Sequence, residues 1–229
     1  MTLSLDFFRS SIGKKIIMAI TGFIWFGFVI LHMVGNLQVF QGPEKLNTYA
    51  KFLKDLGPLL WVARIGLIVA FVGHVCTAIL LKLENNSARP VSYAKNSTIQ
   101  ASFASRTMAY SGLLLLTFLI YHLAHFTLGY TNPDHYSHEY ILKNGDVVHD
   151  VYAMVILGFQ DPIISSTYVV FMVFLALHFS HALGSMLQTL GILAPKHNPA
   201  IQKISTGLGL LVFIGNCSMP ISILLGYVR

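Results

Sequence analysis

Cysteine and charged side chains are both scarce in this chain of 229 residues. The two cysteines, Cys76 and Cys217, each lie in an apolar run, which excludes a disulfide framework, a cysteine-bound iron–sulfur cluster and haem attachment through C-x-x-C-H. Charged residues make up 10% of the chain, against about 25% in a typical soluble domain, and the mean hydropathy is +0.66. The basic residues form no cluster that would indicate nucleic-acid binding. We therefore expect a membrane protein.

Five stretches are long and apolar enough to cross a bilayer, which takes roughly 20 mostly apolar residues. They cover residues 16–40, 59–83, 108–130, 163–190 and 204–227. They predict an all-α integral membrane bundle that forms one membrane domain over residues 1–229, because no connection is long enough for a soluble domain. Nine of the fifteen Lys and Arg lie on the side of the N-terminus, so the positive-inside rule places the N-terminus in the cytoplasm.

The connections contain two shorter segments that we expect to be helices at the membrane interface. Residues 44–57 carry leucine and tyrosine at helical spacing, and residues 151–159 are apolar but too short to cross. Asp161 followed by Pro162 predicts a helix start, with a capping carboxylate before a proline in the first helical position. The histidines in the connections are expected to be solvated: His135, His138, His149 and His197.

Six further histidines lie within four of the spans: His32, His74, His122, His125, His178 and His181. Ionisable side chains at membrane depth are costly and usually functional. At about 1.5 Å per residue from the middle of each span, His32 and His122 lie towards the outside, and His74 and His178 lie nearer the inside. Two imidazoles that face each other at one depth suit the axial positions of a haem iron. Depth alone does not choose between His122 and His125, or between His178 and His181.

A repeated pair of small residues accompanies the histidines. Thr21-Gly22 and Ser111-Gly112 stand before His32 and His122 at the same interval, which is ten residues counted from the glycine. Small side chains allow two helices, or a helix and a flat ring, to approach closely. Without C-x-x-C-H, the haem would be held non-covalently as haem b.

Two other interpretations of the histidines remain open. An intramembrane histidine can hydrogen-bond a neighbouring helix, and a set of them can line a transporter of protons or metal ions. The spans carry almost no acidic residues, which disfavours a cation path. A di-metal site is disfavoured for the same reason, because such sites in helical bundles use carboxylates.

Short motifs then point to a family. They are LHMVGN at 31–36, GPEKLN at 42–47, GHV at 73–75, IYHL at 120–123, LHFS at 177–180 and QKIST at 202–206. In their order and spacing they resemble the five-helix dihaem cytochrome b membrane anchor of succinate:quinone oxidoreductases, which are succinate dehydrogenases and quinol:fumarate reductases. The resemblance extends over nearly the whole chain.

The resemblance implies an electron-transfer subunit of a bacterial cytoplasmic-membrane complex. Such a subunit anchors a flavoprotein subunit, where succinate and fumarate interconvert, and an iron–sulfur subunit, and it exchanges electrons with a quinone, commonly menaquinone. The implied cofactors are two b haems, with His32 and His122 as axial ligands of the outer haem and His74 and His178 as those of the inner haem. The cytochrome b subunit of another quinone-linked enzyme, such as a hydrogenase or a formate dehydrogenase, is the alternative.

Other polar residues are candidates for supporting roles. A quinone needs hydrogen-bond donors, which Asn36, Gln38, Glu44 and Asn47 could supply; the alternative is that they contact lipid headgroups. Four residues could bind haem propionates or support the ligands, with topology or plain packing as the alternative: Arg64, Arg106, His125 and His181.

Overall fold

The computed structural model describes residues 3–88, 103–192 and 198–229. In chain order its helices are α1 (Leu3–Arg9), α2 (Ser11–Asn36), α3 (Pro43–Asp55), α4 (Pro58–Ser87), α5 (Phe103–His122), α6 (Pro133–Tyr136), α7 (Val151–Gln160), α8 (Pro162–Thr189) and α9 (Asn198–Leu224). Five of them, α2, α4, α5, α8 and α9, are long and apolar enough to cross a membrane, which confirms the five predicted spans as helices. Three basic residues used to predict the orientation (Arg89, Lys95 and Lys196) and His197 lie outside the described residues.

Capping side chains fix where these helices begin. Asp161 accepts a hydrogen bond from the Ile163 amide at 2.7 Å, with Pro162 in the first position of α8, as predicted. Ser10 accepts one from the Gly13 amide at 3.0 Å. Because this hydrogen bond starts α2 at Ser11, the first long helix begins earlier than the apolar run at residue 16 suggested.

The long helices pack around α8, which contacts α2, α5 and α9, while α4 packs against α2. The α8–α9 contact is made at the backbone: a Cβ added to Gly209 would lie 2.7 Å from the carbonyl oxygen of Ala176. A Cβ on Gly73 of α4 would lie 3.3 Å from the methyl group of Thr21 on α2. Five of the six intramembrane histidines lie on α2, α4, α5 and α8, and the sixth, His125, lies in the turn that follows α5; α9 packs alongside without a histidine.

One end of the bundle is covered by α3 together with residues 131–160, a region that we call the cap. Both segments expected to be interfacial helices are helical, as α3 and α7. Buried apolar side chains join the cap to α8 and α9: Val39, Leu46, Ile156, Phe159, Ile164, Tyr168, Met219 and Ile223.

The cap also contains a β-hairpin that the all-α prediction did not include. Strands β1 (Glu139–Ile141) and β2 (Val147–His149) are antiparallel, with Tyr140 opposite Val148. The turn contains Asn144 and Gly145, and Gly145 has φ of 91°. Asn-Gly between β-branched and aromatic residues is a strong short-range hairpin signal, so the sequence did carry this feature.

Candidate functional site

Two histidines from different helices meet in the half of the bundle away from the cap, and we call them the far-side pair. His74 on α4 and His178 on α8 have ring centroids 6.5 Å apart and ring planes at 66°. Imidazoles bound to opposite sides of one metal ion through bonds of roughly 2.0–2.1 Å have centroids about 6.3 Å apart. The observed separation is therefore close to that of two imidazoles that share one metal ion.

The hydrogen bonds of His178 indicate which ring nitrogen is free. Ser111 Oγ donates its only proton to the carbonyl oxygen of Met108 at 3.1 Å. The same Oγ lies 3.2 Å from His178 Nδ1. When the hydroxyl proton goes to Met108, Oγ accepts from this ring, and the imidazole proton is on Nδ1. The lone pair is then on Nε2, where a metal ion can use it.

His74 is arranged in the same way by α2. Its Nδ1 lies 3.1 Å from the carbonyl oxygen of Met18, which can only accept, so Nδ1 carries the proton. Thr21 Oγ1 lies 3.5 Å from the same nitrogen and donates its own proton to the carbonyl oxygen of Ile17 at 2.7 Å. Metal-binding histidines almost always donate their second N–H in this manner, which fixes the ring and its tautomer.

Glycines leave room beside both rings of the far-side pair. A Cβ added to Gly22 would lie 3.1 Å from His74 Cε1, and a Cβ added to Gly112 would lie 3.7 Å from His178 Cε1. The Thr-Gly and Ser-Gly repeats therefore belong to the far-side pair, although the sequence connected them only with the histidines that follow. Ten helical residues rise about 15 Å, which is the offset along the helices between the two histidine layers.

The second pair lies next to the cap, and we call it the cap-side pair. The rings of His32 on α2 and His122 at the end of α5 have centroids 5.8 Å apart and planes at 88°. Phe28 stacks on His32 with centroids 5.4 Å apart. The Asn36 amide nitrogen lies 3.0 Å from His32 Nε2, and because an amide N–H donates, the lone pair of this histidine is also on Nε2. A metal ion bound at Nε2 would replace that hydrogen bond.

Tyr168 of α8 connects the cap-side pair to a third histidine. Its hydroxyl lies 3.4 Å from His122 Nδ1 and 3.1 Å from His125 Nδ1. A phenol has one proton and two lone pairs, so its oxygen can accept from both rings, or donate to one and accept from the other. Sequence reasoning missed Tyr168, because a tyrosine in an apolar span resembles ordinary core packing.

A change of helix type separates His122 from His125. Helix α5 ends at His122 and continues as a π-helical turn over Leu123–Thr127, a deviation that is frequent at functional sites. His122 contacts His32, whereas His125 is 2% exposed and stacks on Phe126 at 3.9 Å between centroids. Among the described residues, no group of three or more His, Cys, Asp or Glu could hold a metal ion. The histidine nitrogens that could bind a metal ion therefore come together two at a time.

The residues predicted to bind quinone are divided between two environments. Asn36 lies beside His32, and Gln38 is half-buried in the 3-10 turn Leu37–Gln41 that follows α2. Asn47 is fully buried, where its amide donates to Asp150 Oδ1 at 2.9 Å and accepts from the Tyr152 amide at 3.0 Å. Asn47 therefore fastens α3 to the start of α7.

Glu44 fastens α3 to the hairpin. Its carboxylate accepts from the Tyr140 hydroxyl at 3.3 Å and from the Lys143 amide at 3.1 Å. Partial burial and the adjacent Glu44 carboxylate raise the pKa of Tyr140, so its hydroxyl stays a donor. Glu44 and Asn47 thus hold the cap together, which is a role that the sequence did not suggest.

The remaining candidates lie at the edges of the bundle. Arg64 is exposed on α4, with its guanidinium 5.2 Å from the centre of the Trp61 ring. Arg106 is exposed near the start of α5, and His181 is half-buried on α8, one turn from His178.

Comparison with known proteins gives no relative. Neither a protein-family model, nor a curated protein, nor a solved structure matches the chain. The function is therefore inferred from the geometry of the histidine pairs and from the motifs in the sequence.

Proposed function

We propose that this chain is the dihaem cytochrome b subunit of a succinate:quinone oxidoreductase. In this role it anchors the flavoprotein and iron–sulfur subunits in a bacterial cytoplasmic membrane and carries electrons between the iron–sulfur subunit and a quinone, commonly menaquinone. The proposal rests on one observation above all: four intramembrane helices supply two histidine pairs, with ring centroids 5.8 and 6.5 Å apart. Both separations are close to the value of about 6.3 Å for two imidazoles on one metal ion.

The four histidines have the roles of axial ligands in this proposal. His74 and His178 hold one haem b, and His32 and His122 hold the other. Haem iron with two histidine ligands supplies one-electron transfer and leaves no position for oxygen or substrate. The Met18 carbonyl oxygen and Ser111 would orient the far-side histidines by accepting the proton of Nδ1, which leaves the lone pair of Nε2 for the iron.

Orientation follows from the same proposal. The far-side pair is the inner one, and the cap lies on the outer face of the membrane. At the inner ends of α2 and α4, Lys14 and Glu84 form an ion pair, and Arg106 is exposed at the inner end of α5. This face is where the iron–sulfur subunit would dock.

The quinone is expected near the cap-side pair. Asn36 is the candidate donor that contacts a ligand, His32, directly, and Gln38 is the next polar side chain along the chain. Glu44 and Asn47 would act indirectly by holding the cap in place.

Haem content in a pair of variants tests the assignment. We expect two haems per chain in the wild type, one in His178→Ala and two in His181→Ala, a matched control that removes the neighbouring histidine of the same helix. Retention of both haems in His178→Ala would contradict the proposal. Copurification of a flavin-bearing partner supports it, a nickel or molybdenum partner would indicate the other quinone-linked enzymes, and a colourless protein would indicate a transporter.

A further inference from the structure

Unpartnered buried nitrogens are concentrated in the cap and at its border with α5. In the part of the chain that the structure describes, four buried side-chain polar atoms have no hydrogen-bond partner, and three are histidine nitrogens. They are His125 Nε2, His135 Nδ1 and His149 Nε2, the fourth atom being Ser205 Oγ. Buried polar groups are normally satisfied by protein, ordered water or an ion, so each exception needs an explanation. His135 and His149, which were expected to be solvated, are half-buried, and each has one buried ring nitrogen.

Two of these histidines are neighbours. The rings of His125, in the π-helical turn, and His135, in α6, have centroids 6.5 Å apart and planes at 55°. This is the centroid separation found in the far-side pair, and it is close to the value of about 6.3 Å for two imidazoles on one metal ion. The two residues come from separate elements, so an ion bound to both would connect α6 to the π-helical turn after α5.

His125 is fixed in the orientation that a ligand needs. Its Nδ1 lies 3.1 Å from the Tyr168 hydroxyl, its ring stacks on Phe126, and only 2% of its surface is exposed. With one nitrogen and the ring face engaged, the unpartnered Nε2 cannot turn towards solvent. Metal-binding histidines typically donate the N–H of the other ring nitrogen, and the Tyr168 hydroxyl oxygen is an acceptor within reach of Nδ1.

We propose that His125 and His135 bind a divalent first-row transition-metal ion. Neutral imidazole suits Zn²⁺, Cu²⁺ and Ni²⁺, whereas Mg²⁺ and Ca²⁺ require oxygen ligands. Since the described residues supply no third side-chain donor, water completes the coordination, and the ion holds the cap on α5. Neither histidine is a proposed iron ligand, and Tyr168 is the contact between His125 and His122 of the cap-side pair.

Zinc binding tests the proposal with Zn²⁺ alone as the probe. The complex is purified with its native pigments through a tag that contains no histidine, equilibrated with Zn²⁺, and passed over a weak chelating resin. We expect one Zn²⁺ per chain in the wild type and in His138→Gln, a control at an exposed histidine of the same connection. In His125→Gln and His135→Gln we expect at least a tenfold loss of affinity.

Two further readouts keep the result interpretable. An unchanged haem spectrum in His135→Gln shows that this variant is folded, and X-ray absorption at the zinc edge of the wild type should show two imidazole ligands. Zinc uptake that is equal in all variants, which means surface binding only, overturns the proposal, as does a wild type that retains no zinc. A chain without haem that still binds zinc through His135 would refute the proposed function but not this site.

Discussion

Replacing Ser111 by alanine tests how the proposed haem ligands of the far-side pair are held. Ser111 is 3% exposed, and its Oγ is the acceptor 3.2 Å from His178 Nδ1. The alanine removes this acceptor and leaves the ring without the contact that fixes its tautomer. Loss of such a partner typically costs about 10- to 100-fold in metal affinity, which corresponds to about 1.4–2.7 kcal/mol.

The effect should be specific to one haem and to one hydroxyl. Thr21→Val is the matched comparison on the opposite ligand, because His74 Nδ1 keeps the carbonyl oxygen of Met18 at 3.1 Å and therefore keeps an acceptor. We expect a smaller loss in that variant. Ser166→Ala, at an exposed hydroxyl on the same helix as His178, should have no effect.

Transfer of haem to an excess of an apoprotein acceptor, followed by absorbance, measures the relative affinities. The far-side haem of Ser111→Ala should be transferred first and the cap-side haem should be retained as in the wild type. If both haems of Ser111→Ala stay bound as tightly as in the wild type, the inferred tautomer and the role of Ser111 are wrong.

The other predictions concern the cap and the space beside the ligands. Asn47→Ala removes one hydrogen bond to the Asp150 carboxylate and one to a backbone amide, at a cost of about 3 kcal/mol in total. Hydrogen exchange at the start of α7 should therefore be about 100-fold faster. Unchanged exchange would contradict the role of Asn47 in fastening α3 to α7. Gly22→Ala puts a methyl group 3.1 Å from His74, whereas in Gly112→Ala the new contact is 3.7 Å; overpacking of this kind costs about 1–3 kcal/mol. Haem content should therefore fall in the first variant and not in the second, and equal haem content in the two would exclude a tight fit at Gly22.

Much of the fold could be predicted because its signals are local. Apolar runs of sufficient length predict the five long helices, and Asp161-Pro162 predicts the start of α8. Even the partners of the histidines could be predicted in outline, because depth along a helix is a simple count of residues. His32 meets His122 and His74 meets His178, which are the pairs that the residue count predicts.

Contacts between distant segments could not be predicted in the same way. Asn47 and Asp150 are far apart in the chain, and neither residue type indicates that the two meet in a buried hydrogen bond. The π-helical turn at Leu123–Thr127 changes the direction of His125, which a count based on α-helical spacing cannot reveal. The hairpin is different, because Asn144-Gly145 is a local signal that predicts a tight turn between two strands.

The most direct test of the central claim is an optical redox titration of the purified complex, combined with a haem count per chain. We expect two non-covalent b haems that give sharp reduced bands, titrate as two one-electron components and respond separately when quinone is added. A chain that carries no pigment, or a single haem that is unaffected by substitution of either histidine pair, would contradict the claim that the paired imidazoles hold iron.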